Sequence, residues 1–222
     1  MSDSIFTTES VDFLKSIRRH NGRRWFEEHR HLYQTYLLDP FRSLSTGLSP
    51  TVFSISEKLE TRPQVGKTIS RIFRDTRFSK SKLPLRDHMW LEFRDRSQSG
   101  QDTPQFFFYL EPEEWGYGMG FWQASAPAMA AIRERILAAP EKGEKLMRNL
   151  KRAKRFELGG EKFSRPRPID LPQDINNLYQ HKSFYFISRQ AIKQKLFSSG
   201  LAEEVAGGFM LLGPIYRYVI GL

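Results

Sequence analysis

Between Trp115 and Trp122 the chain reads WGYGMGFW, and no other stretch limits its fold so tightly. Glycine returns at every second position, which is the period of a strand and not of a helix. An extended segment puts Trp115, Tyr117, Met119 and Phe121 on one face and leaves Gly116, Gly118 and Gly120 as a bare strip on the other. Glycine weakens a strand, so three in alternation imply close approach by a helix, another backbone or a flat ligand. A packed helix is the commonest of these. The run is not a dinucleotide fingerprint, because the spacing G-x-G-x-x-G is absent and no strand-to-helix turn lies inside it. Just before it, QFFFYL (105–110) is apolar on both faces, as in a central strand. EPEE between them reads as a turn, so the two segments are expected to form a hairpin.

Other segments extend this pattern. HMWLEFR alternates, with His88, Trp90 and Glu92 opposite Met89, Leu91 and Phe93, and SFYFIS (183–188) reads as a further strand. Thr8 or Ser10 caps a helix carrying Phe13, Leu14 and Ile17, which Asn21-Gly22 stops. A second helix is expected from about Arg24, ending before Pro40. Helical spacing continues from Phe41 to Leu59, weakened or bent by Gly47 and Pro50. Ser125 caps another helix, which Pro140 ends, and a basic helix follows through Leu146 and Leu150. SRPRPIDLP is irregular. The last helix, from Leu201, is expected to break near Gly213-Pro214. The fold class is therefore α+β: one domain over 1–222, with a mainly antiparallel sheet, a helical N-terminal layer over about 8–60, and central and C-terminal helices.

Charge is distributed unevenly. The 222 residues carry a net +10, yet 1–60 is balanced, while 61–100 has an excess of six positive charges and 141–200 an excess of eight. Such blocks imply anionic partners: small molecules bearing phosphate or carboxylate, nucleic acid, or an acidic protein face. The first block is concentrated in RIFRDTRFSKSKLPLR, where Arg71, Arg74, Arg77, Lys80, Lys82 and Arg86 face the single acid Asp75, with Phe73 and Phe78 between them. As a strand, this run places Arg71 and Arg77 ~20 Å apart. As a helical turn, it brings Arg71, Arg74 and Asp75 onto one face. Two guanidinium groups ~5 Å apart repel by ~3 kcal/mol at an effective dielectric near 20, so a tight cluster needs further acids or a bound anion. Arginine's planar fork suits bidentate recognition of phosphate or carboxylate. The competing reading is an internal network in which acids such as Glu92 or Glu111 neutralise the arginines. In the second block, KGEKLMRNLKRAKR (142–155) is either a track for a phosphate backbone or a solvated amphipathic helix.

The chain has no cysteine, which excludes disulfides, thiol nucleophiles and thiolate metal sites and fits the reducing cytoplasm. The N-terminus lacks the pattern of a signal peptide, and no apolar run approaches the ~20 residues of a membrane span. The five histidines are not spaced as metal ligands, and no P-loop or nucleophile-elbow motif occurs, so neither a metal nor a cofactor is expected.

In order along the chain, FLKSIRRHNGRRWFEEHRHLY, DPF, ISRIFRDTRFSKSKLPLR, GMGFWQASAPAMAAIRERI and HKSFYF resemble the domain of unknown function 2461 family of bacterial and fungal proteins. Arg71, Arg74, Asp75, Arg77, Phe78, Ser79, Lys82 and Pro84 match its arginine motif, Asn21 and Trp25-Phe26 its N-terminal element, and Lys182 its C-terminal one. Ser81 stands where an Asp is common, and Leu85 where a Tyr is common. The resemblance implies a cytosolic single domain and assigns no reaction. The resulting expectation is a site for an anionic ligand. Arg71, Arg74 and Arg77 supply fork contacts, and Lys82 and Lys182 supply point charges. Asp75 orients an arginine or acts as a base, Trp25 walls the pocket, and the glycine face gives it room. No residue is assigned a catalytic role.

Overall fold

The computed structural model describes residues 4–77 and 81–222. Five antiparallel strands form one sheet: β1 (Met89–Phe93), β2 (Gln105–Leu110), β3 (Glu114–Gly120), β4 (Glu157–Gly159) and β5 (Tyr185–Ala191), in the order β1-β2-β3-β5-β4. β2 and β3 make the expected hairpin, with Phe108 opposite Tyr117 and Phe107 opposite Gly118. The inner face of the sheet gathers Leu91, Phe106, Phe108, Trp115, Tyr117, Met119 and Phe186, all buried. The alternation in the sequence follows from this one-sided burial.

All the helices that pack on the sheet lie against that inner face. α1 (Thr8–Arg19), α2 (Arg23–Glu28), α3 (Arg30–Tyr33), a π-helical turn (Gln34–Leu38) and α4 (Asp39–Ile55) form the N-terminal layer. Phe6 and Phe41 from this layer pack their rings against Phe108. α5 (Ala126–Ala138) begins at Ser125, whose hydroxyl accepts from the Ala128 N–H at 3.2 Å. α6 (Pro140–Arg152) and α7 (Gln173–Tyr179) follow, and α8 (Leu201–Ile220) crosses β3, bringing Gly208 against the Tyr117 ring. Among the described residues, no helix is long and apolar enough to cross a membrane.

Two expectations from proline are corrected. The helical path does not end before Pro40: the π-helical turn leads directly into α4, where Pro40 occupies the first turn and needs no backbone partner. α8 does not break at Gly213-Pro214 but runs unbroken through them. Burial of Leu212, Ile215, Tyr216 and Val219 outweighs the ~3 kcal/mol that an interior proline removes.

The glycine strip also differs from the commonest expectation, because among the described residues its nearest neighbours belong to strands, not to a helix. Aromatic side chains of the neighbouring strands lie across it instead. A methyl group on Gly116 would stand 2.6 Å from the Tyr109 ring, and one on Gly118 would stand 2.9 Å from the Phe107 ring and overlap the Phe186 carbonyl oxygen. Tyr185 lies over Gly159 in the same way. The outer face of the sheet is thus paved by rings that lean over the glycines.

Candidate functional site

The arginine run is neither a regular strand nor a helical turn. Residues 68–70 add to the free edge of β1: the Ser70 N–H donates to the Trp90 carbonyl at 3.0 Å, and the Glu92 N–H to the Thr68 carbonyl at 2.8 Å. The chain then turns away, and 72–74 pairs with 84–86 through Arg74 N–H to Pro84 O and Arg86 N–H to Ile72 O, both 2.8 Å. Asn21 clamps the returning arm, its amide donating to the Leu85 carbonyl at 3.1 Å and accepting from the Leu85 N–H at 2.9 Å. Leu85 itself is fully buried, so a side chain at this position supports the arm from behind. Phe78, Ser79 and Lys80 lie outside the described residues.

Between this arm and the outer face of β1 lies a cavity of about 490 Å³. Its walls carry five cations, Lys67, Arg71, Arg74, Arg86 and Arg94, and two carboxylates, Asp75 and Glu92, an excess of three positive charges. Among the described residues none of the five cations is ion-paired with a carboxylate. Two of the nearby acids are already engaged by arginines outside the cavity wall. Asp75 is gripped by Arg77, with Nε to Oδ1 at 3.0 Å and Nη2 to Oδ2 at 2.8 Å, which holds its carboxyl at about 2. Asp87 accepts from Arg18 Nε at 2.6 Å, and the same guanidinium reaches Glu113.

One of the arginines is fixed without an acid. Arg86 donates through Nη1 to the carbonyls of Phe73 (2.6 Å) and Arg71 (3.0 Å) and stands 5.3 Å above the Trp90 ring. Burial and the neighbouring Arg74 charge pull the Arg86 pKa below its ordinary value. Arg74 is half-buried, and its Nε is sealed from solvent with no hydrogen-bond partner. Such orphaned donors are rare in native proteins. Glu92 accepts from Trp90 Nε1 at 3.3 Å through Oε2.

The structure brings together Arg71, Arg74 and Asp75 of the residues singled out from the sequence. Arg77 stands beside them, paired with Asp75, and Lys82 donates to the Thr76 carbonyl at 3.0 Å outside the cavity wall. Lys182 lies before β5, three strands from β1, and pairs with Glu161 at 2.6 Å. Trp25 does not wall the cavity: it stacks on His29 at 4.4 Å and on His20 and Phe13. Arg86, part of the cationic run, and Glu92, expected as a possible partner for the arginines, also line the cavity, but Glu92 pairs with none of them among the described residues; Lys67, Trp90 and Arg94 have no assigned role in the sequence reading. Arg86 and the alternating Trp90-x-Glu92 are visible in the sequence, but the folding of 68–70 onto β1 that gathers them is not.

A second cavity of about 230 Å³ shares Lys67 and Arg94 with the first and adds Glu60, Arg62, Asp95, Arg96 and Gln98. Here Glu60 and Arg62 pair with each other, Asp95 accepts from Ser97, and Arg96 donates to the backbone carbonyls of Glu57 and Lys58. Arg62 grips Glu60 (Nη2 to Oε2, 2.5 Å), holding its carboxyl at about 2 against an ordinary 4.5. A carboxylate whose pKa is lowered by folding stabilises fully above its unfolded pKa, and that stability is lost as pH falls through the folded value. In urea melts the advantage of wild type over Glu60→Gln is therefore expected to hold above pH ~5 and to close towards pH 2. A gap that widens on acidification would contradict the pairing. Among the described residues no group of three or more His, Asp or Glu side chains is placed to hold a metal ion.

No curated protein matches the chain. The family model described as conserved hypothetical protein, DUF2461, matches residues 9–218, nearly the whole chain, and the protein belongs to that family.

Proposed function

We propose that the β1-edge cavity binds a small anionic molecule through a phosphate or carboxylate group. The observation that carries this reading is a cluster of guanidinium groups with no carboxylate partner, one of which, Arg74, keeps a buried Nε unbonded. Leaving a buried donor unmade costs ~1–3 kcal/mol, and a turn of the Arg74 side chain towards a ligand oxygen would recover it. Arg71, Arg74 and Arg86 supply the forks, while Lys67 and Arg94 add charge at the rim. Trp90 holds Arg86 in place, and Asn21 holds the arm that bears it. The absence of cysteine supports a cytoplasmic setting for such a binder.

A purely structural network accounts for Arg77 and Lys182, each paired with an acid, and for Arg86, bonded to two backbone carbonyls, but gives no account of Arg71 and Arg74. A single nucleic-acid track over both basic blocks is disfavoured by their placement. α6 packs on α5, α7 and α8, on the opposite side of the sheet from the cavity. Its basic side chains are partly spent on Asp174 and Glu144.

Thermal melts with inorganic phosphate and pyrophosphate test the proposal. At a hundred times Kd a ligand adds ~2.7 kcal/mol, which is roughly 5–10 °C for a chain of this size. Wild type is expected to gain this shift at constant ionic strength, and Arg71→Ala to lose most of it. No shift of wild type with any anion overturns the reading.

A further inference from the structure

Resting on the anion-site reading, we propose that the ligand is a nucleotide, with its phosphate among the arginines and its base laid on the ring-paved outer face of the sheet. The cavity does not end at β1. Its wall residues Trp90 and Glu92 stand directly opposite Tyr109 and Phe107 on β2, so the basic hollow opens onto the paved face within one strand spacing, ~5 Å. There Phe107 lies over Gly118, Tyr109 over Gly116 and Tyr185 over Gly159. All three rings are only partly buried, and among the described residues no helix packs on this side. A side chain at 116 or 118 would lift these rings off the sheet. The glycine strip is what lets Phe107 and Tyr109 lean across β3, and partly exposed aromatic rings beside cations are what a planar heterocycle stacks on.

Glu92 narrows the class further. A carboxylate in the wall of an anion pocket repels a bare anion, and the repulsion is offset where the ligand also presents a donor to it. Its Oε1 has no hydrogen-bond partner among the described residues. This favours a ligand with N–H or O–H donors beside its anion, as a ribose hydroxyl or an exocyclic amine provides. Inorganic phosphate carries a P–O–H donor but no planar face, and a simple carboxylate carries neither. A sugar phosphate has the hydroxyls but no planar face for Phe107 and Tyr109.

Isothermal titration of the full chain with inorganic phosphate, ribose 5-phosphate and adenosine 5′-monophosphate separates these terms. Stacking on one aromatic ring corresponds to roughly 5- to 150-fold in affinity. The adenosine nucleotide is expected to bind at least ~10-fold more tightly than ribose 5-phosphate. Phe107→Leu, which keeps an apolar cover over Gly118, is expected to bring the two within about threefold while leaving the affinity for inorganic phosphate unchanged. Equal wild-type affinity for nucleotide and ribose 5-phosphate overturns the inference and leaves the anion site standing. Binding of none of the three overturns both. Tight, salt-sensitive binding of a single-stranded oligonucleotide, with mononucleotide no better than ribose 5-phosphate, overturns it in favour of a polymer.

Discussion

Gly118→Ala is expected to destabilise the protein by about 3 kcal/mol, roughly 6–12 °C in the thermal midpoint. The added methyl group overlaps the carbonyl oxygen of Phe186 on β5 and stands 2.9 Å from the Phe107 ring. Phe107 can turn away, but the carbonyl cannot. Gly118 is opposite Ile187 in the antiparallel register, and β5 is held on its other side by β4, so moving Phe186 strains ladders on both edges. The sheet therefore absorbs the methyl group by distortion rather than by a rotamer change. Gly200→Ala is the control. Nothing lies within 4 Å of a methyl group there and its φ is −83°, so the change is expected to stay within ~0.5 kcal/mol. A Gly118→Ala protein as stable as wild type would mean that the strip is open, and the paved face with it.

The strands were legible in the sequence because one-sided burial writes a period of two. Met89, Leu91 and Phe93 are buried while Trp90 and Glu92 are half-exposed, as the alternation in HMWLEFR predicts. The cover on the glycine strip was not legible. It is supplied by Phe107 and Tyr109, which in QFFFYL look like part of a uniformly apolar run, and the direction in which a ring lies is a property of the assembled sheet. The prolines misled for the opposite reason: their local penalty is easily seen, while the burial of Ile215 and Tyr216 that overrides it is not. For the site, shared charge gave no information about distance. Arg71 and Lys182 are both cationic, but one stands at the free edge of β1 and the other before β5, beside Glu161. Arg94 and Lys67 join Arg71 because 68–70 pairs with β1, a long-range contact without a local signature.

Arg74→Met is expected to stabilise the unliganded protein by about 1 kcal/mol, roughly 2–4 °C, while weakening phosphate binding by at least ~30-fold. Methionine keeps an unbranched apolar stem in the half-buried position and removes two unfavourable features. One is the sealed Nε without a partner, and the other is the like charge that, with burial, lowers the Arg86 pKa. A binding group held ready for a ligand is a burden in its absence, so the two effects should have opposite signs. Arg77→Met supplies the contrast from the same segment. Its ion pair with Asp75 is exposed, with the Arg77 side chain 79% accessible, and exposed pairs contribute ~0–1 kcal/mol. That variant is expected to leave both unliganded stability and phosphate affinity close to wild type. If Arg74→Met instead melts below wild type and still binds phosphate normally, the guanidinium is part of the scaffold, and the cavity at the edge of β1 is not an anion site.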